Sequence, residues 1–143
     1  MTVQAMLTRK GSDVLTIEPT ASLAAAIKLL AERRIGALVV TGADNRVVGI
    51  ISERDIVRAL AERGAPALAV PVADVMTRRV VTCGRKETVS EIMERMTAGK
   101  FRHVPVVEHD QLVGIVSIGD VVKGRLQEME HESAALRDYI RTA

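Results

Sequence analysis

Aromatic side chains are almost missing from this chain, which has one Phe, one Tyr and no Trp among 143 residues. With only Phe101 and Tyr139, any buried core has to be aliphatic, and stacking platforms for single-stranded nucleic acid are all but excluded. Cysteine is equally scarce. The single Cys83 rules out an intramolecular disulfide and a CxxC metal pair, and points to a reducing compartment. No run approaches the roughly 18 consecutive apolar residues of a membrane helix, and the opening MTVQAMLTRK lacks the apolar stretch of a secretory signal. A soluble, cytoplasmic protein is therefore expected. Charge of one sign is also lacking: 20 Lys and Arg against 18 Asp and Glu leave +2, which calls for neither a nucleic acid nor a membrane as partner. His109 falls in an expected turn and His131 in an expected surface helix, so the scattered His residues offer no zinc-ligand spacing.

The hydrophobic content of 48% against 27% charged is ample for the core of one ordinary domain. That content is organised as a repeat. Val3–Lys10 matches Val72–Arg79 at an offset of 69, pairing Leu7 with Met76, Thr8 with Thr77 and Arg9 with Arg78. After Gly11, Ser12 and Asp13 the offset is 66, where Val14, Thr16, Val40 and Asp44 recur as Val80, Thr82, Val106 and Asp110. Beyond a turn it is 65, where Val48, Gly49, Ile50, Ser52, Asp55 and Val57 recur as Val113, Gly114, Ile115, Ser117, Asp120 and Val122. Matches that keep their order across small turn indels mark two copies of one unit.

Each copy begins with a short extended piece, VLTI at Val14 to Ile17 or VVTC at Val80 to Cys83, and enters a helix with apolar residues at helical spacing. These are Leu23, Ile27 and Leu30 in the first copy and Val89, Ile92, Met93 and Met96 in the second. The second helix is expected to open with a capping box at Thr88 and Glu91 and to close at Gly99. Two β-branched runs then form a hairpin, Ala37 to Val40 with Val47 to Ile51, and His103 to Val107 with Leu112 to Ser117. A further helix starts near Ser52 and near Ser117. The fold class is mixed α/β, with two pseudo-symmetric β-α-β-β-α units packed as one domain, because one unit alone cannot cover its own sheet. Gly64, Pro66 and Pro71 mark the linker within Ala61 to Pro71. The boundaries are 1–64 for the first repeat with an N-terminal helix, 65–71 for the linker, 72–126 for the second repeat and 127–143 for a C-terminal helical extension.

The sharpest repeated motif is Gly-x-x-Ser-x-x-Asp, at Gly49, Ser52 and Asp55 and again at Gly114, Ser117 and Asp120. It has two readings. Ser followed by an acid three residues later, straight after a strand, is a helix-capping arrangement. The same strand end also exposes backbone donors, and a carboxylate one turn in can accept two ribose hydroxyls. Spacing alone leaves both open.

Two units whose hairpins end in GIISERD and GIVSIGD, with FRHVPVV at Phe101 to Val107, resemble a tandem cystathionine-β-synthase (CBS) domain pair of the stand-alone bacterial type. The resemblance covers Thr2 to about Leu126. It implies a non-catalytic regulatory module that binds AMP, ATP, NAD(H) or S-adenosylmethionine between the repeats, with AMP or NAD(H) foremost and no catalytic cofactor. By position it assigns ribose contacts to Asp55 and Asp120, with Ser52 and Ser117 near the sugar or phosphate and Thr16 and Thr82 lining the sites. Ile35, Gly36 and Ala37, and Phe101, Arg102 and His103, would hold the adenine edge or approach the phosphates. Arg102 and His103 align with Gly36 and Ala37, and Arg54 with Gly119, so non-equivalent sites are expected. Arg54, Arg102 and His103 would face phosphate, with Lys10 a further candidate; the alternative for each is a solvated surface cation. Cys83 aligns with Ile17 and reads as a small core residue.

Beyond Val122 the apolar positions Val122, Leu126, Met129, Leu136 and Ile140 follow a 4-3 spacing, with Ser133 in the missing place. Such a stripe must bury against the domain or against a second copy, and a homodimer is the expectation. The downstream partner protein is not indicated. A ligand-free interaction module is the competing reading. A nucleotide-processing enzyme is disfavoured by the lack of a P-loop, a paired nucleophile and base, or a metal cluster.

Overall fold

Thr2 stops the chain from continuing upstream as helix: its hydroxyl accepts the Ala5 N–H at 3.1 Å, and α1 runs over Val3–Lys10. In the computed structural model, which describes residues 1–142, there follow β1 (Thr16–Ile17), α2 (Leu23–Arg33), β2 (Ala37–Thr41), β3 (Val47–Ser52) and α3 (Glu53–Arg63). The second half contributes α4 (Val89–Gly99), β4 (His103–Glu108), β5 (Gln111–Ser117) and α5 (Ile118–Thr142). Short 3-10 turns occupy Ala43–Asn45, Ala65–Ala69 and Val72–Asp74. Among the described residues no helix is long and apolar enough to cross a membrane.

The duplication is visible in the ladders. β2 and β3 pair antiparallel with Ala37 opposite Ser52 and Val40 opposite Gly49; β4 and β5 pair with His103 opposite Ser117 and Val106 opposite Gly114. Both hairpins shift register at the same place, after Val40 and after Val106. β1 joins β2 in parallel through Thr16–Val39 and Ile17–Val40. The expected strand at Val80 to Cys83 is not formed. Only Cys83 reaches β4, donating its N–H to Pro105 O at 3.0 Å and accepting from Val107 N at 2.8 Å. Val80 is tied instead into a turn on Arg78, and Val81 stays 40% exposed, so no second residue of that run is left to ladder.

Helix ends show two further departures. Thr88 caps α4 by accepting the Glu91 N–H, but the Glu91 carboxylate takes the Thr88 hydroxyl at 3.1 Å rather than completing a reciprocal backbone bond. Gly99 is the last helical residue, not the left-handed cap; that position is Lys100, with φ 58° and ψ 35°. Its counterpart Arg34 caps α2 with φ 54° and ψ 46°. Gly99 is required for another reason, because the Phe101 ring lies where a Cβ would stand.

The core is two aliphatic clusters whose membership does not follow chain order. The first gathers Ile17, Leu23, Leu30, Leu38, Val40, Ile51 and Ile56 and is completed by Ala67, Val72 and Met76. The second gathers Cys83, Val89, Ile92, Met96, Val104, Val106, Val116 and Val121 and is completed by Val3, Met6 and Leu7 of α1. The segment preceding each repeat therefore covers the other repeat. This explains the motif glycines: Met76 fills the space of a Cβ on Gly49, and Leu7 that of a Cβ on Gly114. The linker is packed rather than loose. Leu23 N–H bonds to Val70 O, Val72 N–H to Ala21 O, and Ala67 is fully buried.

Candidate functional site

Two strand-to-helix junctions carry the repeated Ser and Asp. At the first, Ser52 accepts the Asp55 N–H at 3.3 Å, while Asp55 Oδ2 accepts the Ser52 N–H at 2.9 Å and the Ser52 hydroxyl at 3.0 Å. This is a full capping box, and it holds Asp55 only 6% exposed at the start of α3. The other oxygen, Oδ1, accepts the hydroxyl of Thr77 at 3.0 Å, and Arg58 stands 3.9 Å away. Thr77 is placed by a two-bond bridge to Ile50, whose N–H and C=O exchange with its backbone at 3.0 and 2.9 Å.

At the second junction Ser117 and Asp120 repeat the local cap: Asp120 Oδ2 accepts the Ser117 N–H at 2.9 Å, and Ser117 Oγ accepts the Asp120 N–H at 3.2 Å. The surroundings differ. Lys10 Nζ lies 2.6 Å from Asp120 Oδ2 and 2.8 Å from Ile115 O. Burial pulls the Asp120 carboxyl upward, but the Lys10 ammonium and the Ser117 hydrogen bonds outweigh it and hold the group below the ordinary carboxylate range.

Between the repeats a cleft of about 810 Å³ opens beside the first junction. Of the residues singled out from sequence it brings together Gly36, Ser52, Arg54, Asp55, Phe101, Arg102 and His103. It does not include Lys10, Thr16, Ile35, Ala37, Thr82, Ser117 or Asp120. Ile35 packs on the first cluster and Ala37 is buried in β2 opposite Ser52. Thr16 pairs with Val39, and exposed Thr82 offers its carbonyl to Arg95. Thr77, Arg79 and Lys100 line the cleft and were not anticipated there. The available signal was the 69-residue offset itself, which aligns Thr77 and Arg79 with Thr8 and Lys10.

The cleft has an aliphatic part from Ile50, Val57, Val81 and Ile118, and a cationic rim from Arg54, Arg58, Arg79, Lys100 and Arg102. Arg54 reaches across to Lys100 O at 3.2 Å, linking the repeats. Arg79 and Arg102 make no side-chain hydrogen bond or ion pair among the described residues, so their guanidinium groups remain available to an anion. His103 rests on Gly36, where an added Cβ would meet Cε1 at 3.3 Å. Burial lowers its pKa below the ordinary histidine value, opposed by Glu53 and Asp120 and reinforced by Arg102 and Lys10. Buried Cys83 packs in the second cluster, and its thiol is pushed up to about 12, chiefly by desolvation, which disfavours the thiolate there.

An enclosed carboxylate at a helix start, an aliphatic wall and unpaired guanidinium groups form a surface suited to a sugar, a flat base and a phosphate. Known proteins share the fold. The CBS domain model matches residues 5–62 and 72–126. A CBS-domain containing protein of Agrobacterium tumefaciens is 50% identical, with a TM-score of 0.83 over 87% of this chain and 92% of that one. A CBS domain protein of Pyrobaculum aerophilum, solved complexed with AMP, is 31% identical with a TM-score of 0.75, covering 84% of this chain and 89% of that one. The CBS domain pair of protein MJ0100, solved with 5′-methylthioadenosine and S-adenosyl-L-methionine, is 27% identical with a TM-score of 0.79 over 90% and 98% of the two chains. The mitochondrial CBS domain-containing protein CBSX3 of Arabidopsis thaliana is 35% identical over 119 residues, and the alignment takes in 80% of this chain and 58% of that longer relative. With both halves of the chain matched by the family model, this chain belongs to the CBS domain family as a tandem pair.

Proposed function

We propose that the cleft beside Asp55 binds an adenosine-containing nucleotide, AMP or NAD(H) foremost, and that occupancy regulates a partner protein. The observation that carries this reading is the pairing of buried Asp55 with a neutral hydroxyl, Thr77, inside a cation-rimmed cleft. A ribose hydroxyl can replace the Thr77 hydroxyl without loss of charge balance, because both are neutral donors to the same carboxylate. Adenine would lie against Val57, Val81 and Ile118, and Arg79 and Arg102 would face phosphate. The AMP complex of the Pyrobaculum aerophilum protein and the methylthioadenosine and S-adenosylmethionine complex of the MJ0100 pair support the ligand class.

The protein acts in this reading as a binding module without turnover, in the cytoplasm, where a single buried thiol needs no oxidative partner. Signalling requires that the nucleotide favour one arrangement of repeats or protomers over another. The exposed stripe on α5, where Leu126, Met129, Leu136 and Ile140 are each more than half exposed, supports a homodimer as the unit that responds. A ligand-free interaction module is the second reading, favoured by the fact that Ser52 and Thr77 already satisfy Asp55 internally.

Calorimetric titration with AMP, ATP, NAD⁺ and S-adenosylmethionine separates the two. Binding of at least one, weakened tenfold or more by Asp55→Asn, is expected. Failure of all four to bind leaves the interaction module.

A further inference from the structure

The two junctions satisfy the same pair of acceptors with different donors. In the first, the carbonyl of Ile50 takes the Thr77 N–H at 2.9 Å and Asp55 takes the Thr77 hydroxyl at 3.0 Å. In the second, the matching carbonyl of Ile115 and the carboxylate of Asp120 are both taken by one group, Lys10 Nζ, at 2.8 and 2.6 Å. The substitution has a local cause. Thr8, the counterpart of Thr77, lies inside α1 and gives its hydroxyl to Gln4 O at 3.0 Å, so it cannot reach the second hairpin. At the first junction the matching stretch starts after Pro71, which has no capping side chain; helix gives way to a 3-10 turn at Val72–Asp74, and Thr77 is extended against β3. The 69-residue offset also sets Lys10 against Arg79, which lines the open cleft without a partner among the described residues.

We propose that Lys10 closes the second site from within the chain, so that each chain takes one nucleotide, at Asp55, and Lys10 sets that stoichiometry. The proposal rests on the nucleotide-binding reading. Its physical basis is the charge of the internal donor. Exchanging Thr77 for a ribose hydroxyl swaps one neutral donor for another, whereas displacing Lys10 breaks a charge-assisted bond and strands an ammonium group beside a neutral sugar. Lys10 and Asp120 are 29% and 22% exposed, so the pair is partly shielded from water and salt. The open cleft accordingly reaches Ser52 and Asp55 but not Ser117 and Asp120.

Isothermal titration of the full chain with AMP gives the test. The wild-type protein is expected to bind one AMP per chain. Lys10→Met and Lys10→Gln, each removing the ammonium from an exposed helix end, are expected to bind two. Lys10→Arg, which keeps the charge, is expected to remain at one. Two AMP per wild-type chain, or one AMP in both neutral variants, overturns the closure and leaves nucleotide binding standing. With ATP, NAD⁺ and S-adenosylmethionine titrated alongside, no nucleotide bound by wild type or any variant overturns both.

Discussion

Leu7 Cδ2 stands 2.8 Å from the point where a Cβ on Gly114 would be, so the glycine of the second motif exists to seat a side chain from the other end of the chain. Leu7 is 4% exposed and packed within the second cluster, which leaves it little room to yield. Gly114→Ala is expected to destabilise the fold by about 1–3 kcal/mol, the usual range for overpacking. Leu7→Ala should remove the clash, so the double variant is expected to lose less stability than the sum of the two single changes. Urea unfolding of the four proteins checks this, and strict additivity would show that the two residues do not meet.

His103 gives stability a pH dependence of definite sign. Burial holds its folded pKa below the ordinary 6.5, so the unfolded chain gains a proton first as pH falls. The contribution is therefore fully present above pH 6.5 and is lost on acidification toward the lowered folded value. His103→Gln is expected to flatten the pH 7 to 5 portion of the unfolding profile. In the nucleotide-binding reading a phosphate near Arg102 would also raise the His103 pKa, so binding near pH 6 should take up protons. Titrations in buffers of different ionisation heat would show this; equal apparent enthalpies in all buffers would remove His103 from the ligand's field.

Arg34 occupies the left-handed position that ends α2, at φ 54°, where a side chain costs about 1–2 kcal/mol relative to glycine. The greater freedom of glycine in the unfolded chain offsets roughly half of that. Arg34→Gly, on the exposed side of the first repeat, is expected to raise stability by about 0.5–1 kcal/mol in thermal unfolding. A loss of stability would mean that the Arg34 side chain does more than its backbone suggests.

The apolar stripe of α5 should be quiet in the monomer and costly in the assembly. Leu136 and Ile140 are 60% and 64% exposed, so Leu136→Glu should leave the helical circular dichroism unchanged. If the stripe seals a dimer, the same change buries a charge twice in one symmetric contact and is expected to weaken association more than tenfold. Light scattering across a dilution series decides; an unaltered mass would take the stripe out of the interface.

Much of this architecture was legible because it is local. The hairpins follow from paired β-branched runs, the helices from apolar spacing with Ser52 and Thr88 as caps, and the repeat from ordered matches. What was not legible depends on partners distant in the chain. Nothing in VVTC distinguishes a strand from an extended loop, since only the number of ladder partners beside Cys83 separates them. Gly99 has the composition of a helix stop, yet the left-handed cap is Lys100, and Gly99 serves instead to leave room for the Phe101 ring. The site was half legible. Asp55, Arg102 and His103 came from the motif and its neighbours, whereas Thr77 and Arg79 enter only because their segment crosses to β3.

The crossed coverage also says where this chain can be cut. A split between the repeats as they are written would strip Val72 and Met76 from the first core and Val3, Met6 and Leu7 from the second, leaving two halves with open apolar faces. The pieces that keep each core's residues together are cyclically shifted. One runs from Gly11 to about Thr77. The other continues from there through α5 and then takes up the first ten residues, so a circular permutant with α1 rejoined after α5 would keep both cores whole.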